Sequence, residues 1–211
     1  MDIICKSISY EGTIYMVANA GNMIDLQQMK EEGISEEEWK KTTMAMSNGK
    51  VVNFFTGSLV IDGQNQPSQS LTLKRGVARF DLNVDVAGSA AIESLTLKNV
   101  AQSGYLFAQG EVAASPADVE RNDVTAHFDT ALSASTPGVL YVYEQENAGI
   151  EVSIEAVIDG QHKVLTKTLE GNLKRNTIYT VTVRKNDIDI VVKVGIDDWE
   201  PGEDTEIIPQ L

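Results

Sequence analysis

The histidines are the first residues in this chain that could carry acid–base chemistry or hold a metal ion. There are two among 211 residues: His127 lies in a strand-like pattern, and His162 lies in an Asp-Gly-Gln-His turn. Neither has a metal-ligating residue four positions later, and the single cysteine, Cys5, cannot complete a metal site with them. The sequence also contains no Gly-x-Ser-x-Gly elbow and no glycine-rich phosphate loop. We therefore predict no enzymatic activity, no metal site and no cofactor.

The acidic residues could bind calcium or supply a pair of catalytic carboxylates. Near the C-terminal end the sequence places Asp197, Asp198, Glu200, Glu203, Asp204 and Glu206. Calcium needs several converging carboxylates, but the EF-hand spacing is not met, so we interpret this cluster as a solvated tail. Glycoside hydrolysis needs two carboxylates whose separation is spatial, and the sequence does not give that separation. A glycoside hydrolase is therefore the last of three functional hypotheses.

Aromatic side chains could form a platform for a sugar ring. The chain has six tyrosines and two tryptophans, and most of the tyrosines lie in strand patterns, where cross-strand packing is their usual role. Trp39 lies one turn into a predicted short helix, and we expect it to pack that helix onto a sheet, since short helices depend on tertiary contacts. The alternative is that Trp39 and Tyr105 contact a glycan or a host protein.

The charge balance limits the partners of the chain. With 17 Lys and Arg against 31 Asp and Glu the net charge is -14, which argues against nucleic acid and anionic membranes because both require a basic surface. No stretch of about 18 apolar residues is present, so we predict no transmembrane segment. The segment Met1–Lys6 has no secretion-signal pattern, and Cys5 lacks the apolar run expected before a lipid-attachment cysteine.

The C-terminal part of the sequence predicts β-strands. Apolar residues recur at every second position in most of Ile150–Ile158, Thr177–Arg184 and Ile188–Val194, a period that gives a strand one buried and one solvated face. Successive strands with short turns predict an antiparallel sandwich. Further predicted strands are Leu71–Lys74, Val77–Val86, Ile92–Lys98, Val124–Phe128 and Val139–Tyr143. The segment Ser103–Asn122, rich in Ala, Ser and Gly, is predicted to be a long loop or an edge excursion.

The N-terminal part of the sequence mixes strand patterns with helix signals. Thr13–Ala18 is a predicted strand, and Asp25 and Gly33 are the predicted start and end of a short helix. Ser35 and Glu38 form a capping box that predicts a second short helix. Strand patterns return at Val51–Phe55 and Ser58–Ile61.

A polar segment divides the two parts. Asp62–Ser70 contains Gly and Pro and has no apolar period, so we predict a linker there. The predicted domains are therefore residues 1–70 and residues 71–211, with the first domain incomplete.

Six separated segments, taken in order, resemble the fimbrillin family. Leu173–Val181 is similar to the family's "l-x-RN-x-xY-x-v" element, and Tyr141–Asn147 is similar to its "yv-x-EN" element. The other similar segments are Ile14–Ala20, Arg75–Leu82, Ile92–Val100, and Trp199 together with Gly202. The resemblance covers the chain from about Thr13 to Gly202.

The resemblance implies an all-β fold of tandem transthyretin-like β-sandwich domains, with the short helices in the N-terminal part. It also implies a subunit of a type V pilus of Bacteroides-like bacteria. Family members are exported as lipoproteins, trimmed by a protease at the outer surface, and polymerised by exchange of a β-strand between neighbours. The expected location is a fimbria at the cell surface, associated with the outer membrane, and the expected partners are other pilus subunits.

The chain departs from the family pattern at both ends. It begins just before the first matching strand, so the signal and leading strands of the family are not expected in this sequence. Only Glu203–Leu211 follows the terminal signature, and it contains a proline, which removes a ladder hydrogen bond. Within it, Ile207, Ile208 and Leu211 are the candidate polymerisation residues. Stalk, tip and anchor roles all stay open, and a tip module that binds a glycan or host protein is the alternative function.

Overall fold

The computed structural model describes residues 11–20, 24–62 and 70–194, and this part of the chain is built mainly from β-strands. It forms two four-stranded sheets, one three-stranded sheet and one two-stranded sheet. The predicted all-β class is therefore confirmed. The transthyretin-like character of the sheets stays a prediction.

The N-terminal part contains short strands and the two predicted helices. In chain order its elements are β1 (Glu11–Ala18), α1 (Leu26–Glu32), α2 (Glu36–Lys40), β2 (Thr43–Ala45), β3 (Phe55–Asp62) and β4 (Lys74–Arg75). β1, β3 and β4 form the three-stranded sheet, with β3 in the middle. No helix in the described ranges is both long and apolar enough to cross a membrane.

Local side-chain hydrogen bonds define both helices. Before α1, the Asp25 carboxylate accepts a hydrogen bond from the Gln28 N–H at 2.9 Å, and Gly33 ends the helix with φ at 67°. Before α2, Ser35 and Glu38 make both hydrogen bonds of a capping box. Both helix predictions are confirmed, because the signals that carried them act within a few residues.

The C-terminal part forms a β-sandwich. Its strands are β5 (Val77–Val84), β6 (Ala90–Ala101), β7 (Ser103–Tyr105), β8 (Arg121–Leu132), β9 (Thr136–Tyr143), β10 (Glu151–Ile158), β11 (Gln161–Thr168), β12 (Thr177–Val183) and β13 (Ile188–Val194). One sheet has the order β11-β10-β6-β8 and the other the order β13-β12-β5-β9. Phe80 and Val181 of one sheet and Leu95 and Ile154 of the other belong to one core cluster. The sheets therefore pack face to face.

One strand pair departs from the predicted antiparallel arrangement. β5 and β12 run parallel, with Phe80 beside Tyr179 in register. Their rings stack with centroids 5.1 Å apart and an interplanar angle of 17°. The prediction of an antiparallel sandwich is wrong for this pair, because alternation shows which face of a strand is buried but not the direction of its neighbour.

β11 is a strand that the sequence patterns did not predict, and His162 lies in it rather than in a turn. Its inward positions include Lys163 and Lys167, which pair with the buried Ala156 and Val152 of β10. Polar residues therefore stand where alternation would require apolar ones. An edge strand can carry such residues because its open side reaches solvent.

Two predicted strands near the linker are shorter than expected. Val51–Phe55 contains a strand only from Phe55 onward, because the backbone before it bonds to side chains: the Val52 N–H donates to the Tyr143 hydroxyl at 3.0 Å. Of the predicted strand Leu71–Lys74, only Lys74 is in a ladder, where β4 pairs with the first two residues of β3.

A second core cluster contains residues from both sides of the predicted domain boundary. Its buried members are Ala20, Met44, Phe54, Val77, Leu106, Phe107, Tyr143 and Ile178. Gly76 borders this cluster, and a Cβ at Gly76 would lie 2.0 Å from a ring carbon of Phe54, so the site requires glycine. The boundary between residues 1–70 and 71–211 stays a prediction, since the two parts share this core.

Candidate functional site

The two helices and β1 line an open surface cleft next to Trp39. The cleft has a volume of about 400 Å³. Its lining residues are Thr13, Tyr15, Met29, Lys30, Ile34, Ser35, Glu36 and Trp39. The capping box at Ser35 fixes the start of α2 and thereby places Glu36 and Trp39 on this cleft. The structure therefore places one of the two candidate ligand-contact aromatics in a concave surface site.

Three aromatic rings form the wall behind the cleft. Phe107 packs edge-on against Tyr15, with ring centroids 5.3 Å apart, and at a tilt of 57° against Trp39, with centroids 5.5 Å apart. Phe107 is 7% exposed, whereas Trp39 is only partly buried. The sequence predicts that Trp39 packs its helix onto a sheet, but its ring contact is made to Phe107 in the segment after β7, which joins α2 to the second core cluster.

Polar groups lie at one end of the cleft. The Glu36 carboxylate accepts hydrogen bonds from the Tyr15 hydroxyl and from Lys40 Nζ, the latter at 2.7 Å. Lys40 Nζ also lies 5.4 Å from the centroid of the Tyr15 ring, a cation–π distance. The hydrogen bond from Lys40 lowers the pKa of Glu36, and the same bond raises the pKa of Lys40. Both groups are therefore charged at neutral pH.

Tyr105, the second candidate aromatic, does not line this cleft. It lies in β7, where it pairs with Thr43 of β2. Its carbonyl accepts a hydrogen bond from Arg175 at 2.9 Å. The prediction of a loop or edge excursion over Ser103–Asn122 missed both the strand and the burial of the Leu106 side chain that follows. The two aromatics are not brought together as one site.

A buried ion pair joins two of the segments that resemble fimbrillin elements. Arg175 Nε lies 2.5 Å from Glu144 Oε2, and the two side chains are 10% and 8% exposed. The Arg175 guanidinium also donates to the carbonyls of Tyr105 and Leu106, both at 2.9 Å. The pair therefore anchors the segment after β7, which includes Phe107 of the cleft wall, to the sandwich.

Most strands at the sheet edges carry features that hinder pairing with another chain. On β11, Lys163 Nζ donates to the Lys185 carbonyl and to Asn186 Oδ1, both at 2.8 Å. Lys167 Nζ lies 2.6 Å from Asp189 Oδ1 of β13. Inward-pointing lysines of this kind are a known protection of edge strands, because adding a strand would bury them.

Three other long edge strands are interrupted in different ways. β8 has two register shifts against β6 and carries Asp123 and Asp129. β9 contains Pro137 and a register shift against β5. β13 contains Asp189, which is engaged with Lys167. Charges, proline and bulges each discourage the addition of a further strand.

β1 has none of these protections. It pairs with β3 along all eight residues without a register shift, and only its first residue, Glu11, is charged. Within the described residues no strand pairs with its outer side. Ile14 at its centre is 37% exposed. β1 is therefore the long edge that is best suited to accept another strand.

The remaining candidate residues belong neither to the cleft nor to the edge of β1. The candidate polymerisation residues Ile207, Ile208 and Leu211 lie outside the described residues, as do the acidic cluster at residues 197–206 and Cys5. Within residues 11–20, 24–62 and 70–194, no three His, Cys, Asp or Glu side chains are close enough together to hold a metal ion. Of the two histidines, His162 lies 3.7 Å from Glu93 on the surface.

Comparison with known families gives one match across most of the chain. A family model described as fimbrillin-A associated anchor proteins Mfa1 and Mfa2 matches residues 9–205. No individual curated protein matches the sequence.

Solved structures with a similar fold come from Porphyromonas and Bacteroides species. The tip fimbrial protein Mfa3 from Porphyromonas gingivalis, with a C-terminal truncation, has a TM-score of 0.56 at 16% identity and covers 89% of this chain and 80% of its own. A proposed cell adhesion protein from Bacteroides eggerthii has a TM-score of 0.58 at 12% identity, covering 86% and 76%. One from Bacteroides uniformis has a TM-score of 0.48 at 14% identity, covering 74% of this chain and 65% of that chain. The likeness to the first two shows a common fold.

Proposed function

Because this chain belongs to the family of fimbrillin-A associated anchor proteins Mfa1 and Mfa2, we propose that it is a subunit of a type V pilus that assembles by exchange of a β-strand after proteolytic trimming. Membership of this fimbrial family supports a location at the cell surface and assembly with other pilus subunits. Association of the fimbria with the outer membrane is part of the proposal.

The unprotected outer edge of β1 is the observation that carries the proposal. Its backbone N–H and C=O groups on that side have no strand partner within the described residues. An extended segment from a neighbour would satisfy these groups and bury alternate side chains against the sheet. If four or five apolar side chains are buried at about 1.5–3 kcal/mol each, the gross gain is near 10 kcal/mol before ordering costs. Trimming is the step that we propose leaves this edge accessible.

The donor in the proposal is the segment of a second copy that contains Ile207, Ile208 and Leu211. Two of these residues are adjacent and β-branched, a composition favourable to a strand. The segment is short and contains Pro209, so we expect pairing over only part of β1.

Disulfide trapping tests the joint. One chain carries Ile14→Cys and the other carries Ile207→Cys or Ile208→Cys, both in a Cys5→Ser background and with tags of different mass. Because opposite residues of paired strands have Cβ atoms about 4.5–5.5 Å apart, close to disulfide geometry, we expect a covalent heterodimer under mild oxidation. Denaturing electrophoresis and peptide mass spectrometry would identify the bridge.

The matched control places the cysteine on the protected edge. Val164 of β11 is 65% exposed, so a Val164→Cys thiol is at least as accessible as one at Ile14. We expect no excess of heterodimer from Val164→Cys over random collision. Equal yields from the two positions, or no product from Ile14→Cys with either donor variant, would contradict assembly at β1.

The cleft beside Trp39 favours a second candidate function, a tip or accessory module that binds a glycan or a host protein. Among the described residues, Glu36 is the single carboxylate lining the cleft. Glycoside hydrolysis uses a pair of carboxylates, so this cleft is suited to binding rather than to hydrolysis. Both candidate functions are non-enzymatic.

A further inference from the structure

We propose that the cleft between β1, α1 and α2 binds a neutral glycan, an inference that rests on the second of the two proposed functions. Trp39 supplies the stacking surface, and Glu36 and Lys30 supply the polar contacts to sugar hydroxyls.

The dimensions of the cleft suit a small ligand. Its volume of about 400 Å³ lies within the range of about 300–1,000 Å³ typical of ligand sites. Its apolar lining comes from Met29, Ile34 and the rings of Tyr15 and Trp39. A mostly apolar wall with a few convergent polar groups is the usual composition of such sites.

The aromatic wall is held in place before any ligand arrives. Trp39 and Tyr15 both pack on Phe107, which is 7% exposed. Phe107 follows Leu106, whose carbonyl accepts a hydrogen bond from the buried Arg175. A pre-ordered ring loses little side-chain entropy on binding, so its exposed part can serve as a stacking surface.

The polar groups in the cleft complement a hydroxylated ligand. Glu36 Oε1 is occupied by Tyr15 and Lys40, whereas Glu36 Oε2 accepts no hydrogen bond from the described residues. Lys30 Nζ forms no ion pair within the described part of the chain. A sugar hydroxyl is both donor and acceptor, so it can donate to Glu36 Oε2 and accept from Lys30.

Charge distinguishes a neutral glycan from an acidic one. α1 and α2 together carry five glutamates and two lysines. The chain as a whole has a net charge of -14. The lining itself holds one carboxylate, Glu36, which is paired with Lys40, and one lysine, Lys30. The negative excess lies on the surrounding helix surface and the whole chain, and it repels sialylated or sulfated glycans more than neutral hexose chains.

A glycan array tests the inference with defined probes. The untagged chain and a Trp39→Ala variant are applied to neutral hexose- and N-acetylhexosamine-terminated glycans and to sialylated and sulfated glycans. We expect binding to neutral probes that Trp39→Ala weakens by about tenfold or more, as loss of an aromatic contact implies. Tyr105→Ala, outside the cleft, is the matched aromatic control and should retain binding.

Two further measurements guard against misfolding of Trp39→Ala. Glu36→Gln preserves the shape of an exposed side chain and should weaken neutral glycans several-fold, on the scale of a hydrogen bond to a charged group. In a Trp199→Phe background Trp39 is the remaining tryptophan, and its fluorescence should change on titration with a bound oligosaccharide. Binding only to acidic glycans, no binding, or binding indifferent to Trp39→Ala and Glu36→Gln would overturn the inference. The disulfide result at β1 is independent of all these outcomes.

Discussion

Replacing Arg175 with methionine is expected to lower the free energy of unfolding by about 3–5 kcal/mol, the cost of removing one partner from a buried ion pair. The change leaves the Glu144 carboxylate, in a side chain 8% exposed, without its 2.5 Å partner. It also removes the hydrogen bonds to the carbonyls of Tyr105 and Leu106. Equilibrium urea denaturation, followed by circular dichroism, measures the loss as a change in midpoint at constant slope.

Two controls separate the buried charge from general damage. Lys98→Met breaks an ion pair with Glu151 whose side chains are 45% and 36% exposed, and we expect little change in the midpoint. The double variant Arg175→Met with Glu144→Leu removes both charges and should recover much of the stability, since apolar replacement of a buried pair is often neutral. Equal effects of Arg175→Met and Lys98→Met would contradict the importance of burial at this pair.

Tyr143→Ala is expected to lower the free energy of unfolding by about 3–5 kcal/mol, the range for deleting a buried aromatic side chain. Tyr143 is 0% exposed and lies in the core cluster shared by the two parts of the chain. Its hydroxyl accepts a hydrogen bond from the Val52 N–H at 3.0 Å and donates to the Ala45 carbonyl at 3.2 Å. Thermal and urea unfolding of the variant measure the loss.

Tyr143→Phe separates the hydroxyl from the ring. The ring stays in the core, but two backbone groups lose their partner, so the expected loss of unfolding free energy is about 1–3 kcal/mol.

The Tyr143 hydroxyl also makes stability depend on pH. Burial raises the pKa of Tyr143, so the unfolded chain releases this proton at a lower pH than the folded chain does. The stability that the Tyr143 hydroxyl contributes is therefore fully present below about pH 10, and it declines as the pH rises through the raised pKa of the folded state. Tyr143→Phe should show a smaller alkaline loss of stability than the parent chain, and an identical pH dependence would contradict the assignment.

The parts of the fold that the sequence predicts best are those determined by neighbouring residues. Both helices follow from side-chain caps at Asp25 and Ser35, whose partners lie three residues away. The strands with regular alternation, such as β10 and β12, have one face in the core cluster along their length. In these elements local signals and tertiary burial agree.

The parts that the sequence does not predict depend on distant partners. β11 is not predicted because lysines occupy its inward positions, and Lys167 forms an ion pair with Asp189 of the other sheet. The parallel pairing of β5 with β12 joins residues far apart in sequence, such as Phe80 and Tyr179, and alternation is the same in both directions. Residues 51–54 have strand composition, but the Val52 N–H bonds to the Tyr143 hydroxyl instead of to a ladder.

The candidate site could be predicted only in part, because it too depends on residues that are distant in sequence. Trp39 could be selected by residue type, and the capping box predicted the helix that carries it. Phe107, which supports Trp39, was missed because it lies in a segment rich in Ala, Ser and Gly. Glu144 and Arg175 belong to separate segments that resemble the family, and their ion pair joins residues 31 positions apart, which spacing alone does not indicate.

Amide hydrogen exchange on assembled and monomeric protein tests the central claim, strand addition at β1, most directly. In assemblies, we predict slowed exchange for those amides of Glu11–Ala18 whose N–H groups point away from β3, with unchanged exchange along the outer side of Gln161–Thr168. The same rates for the β1 amides in both samples, or new protection confined to β11, would contradict assembly through this edge.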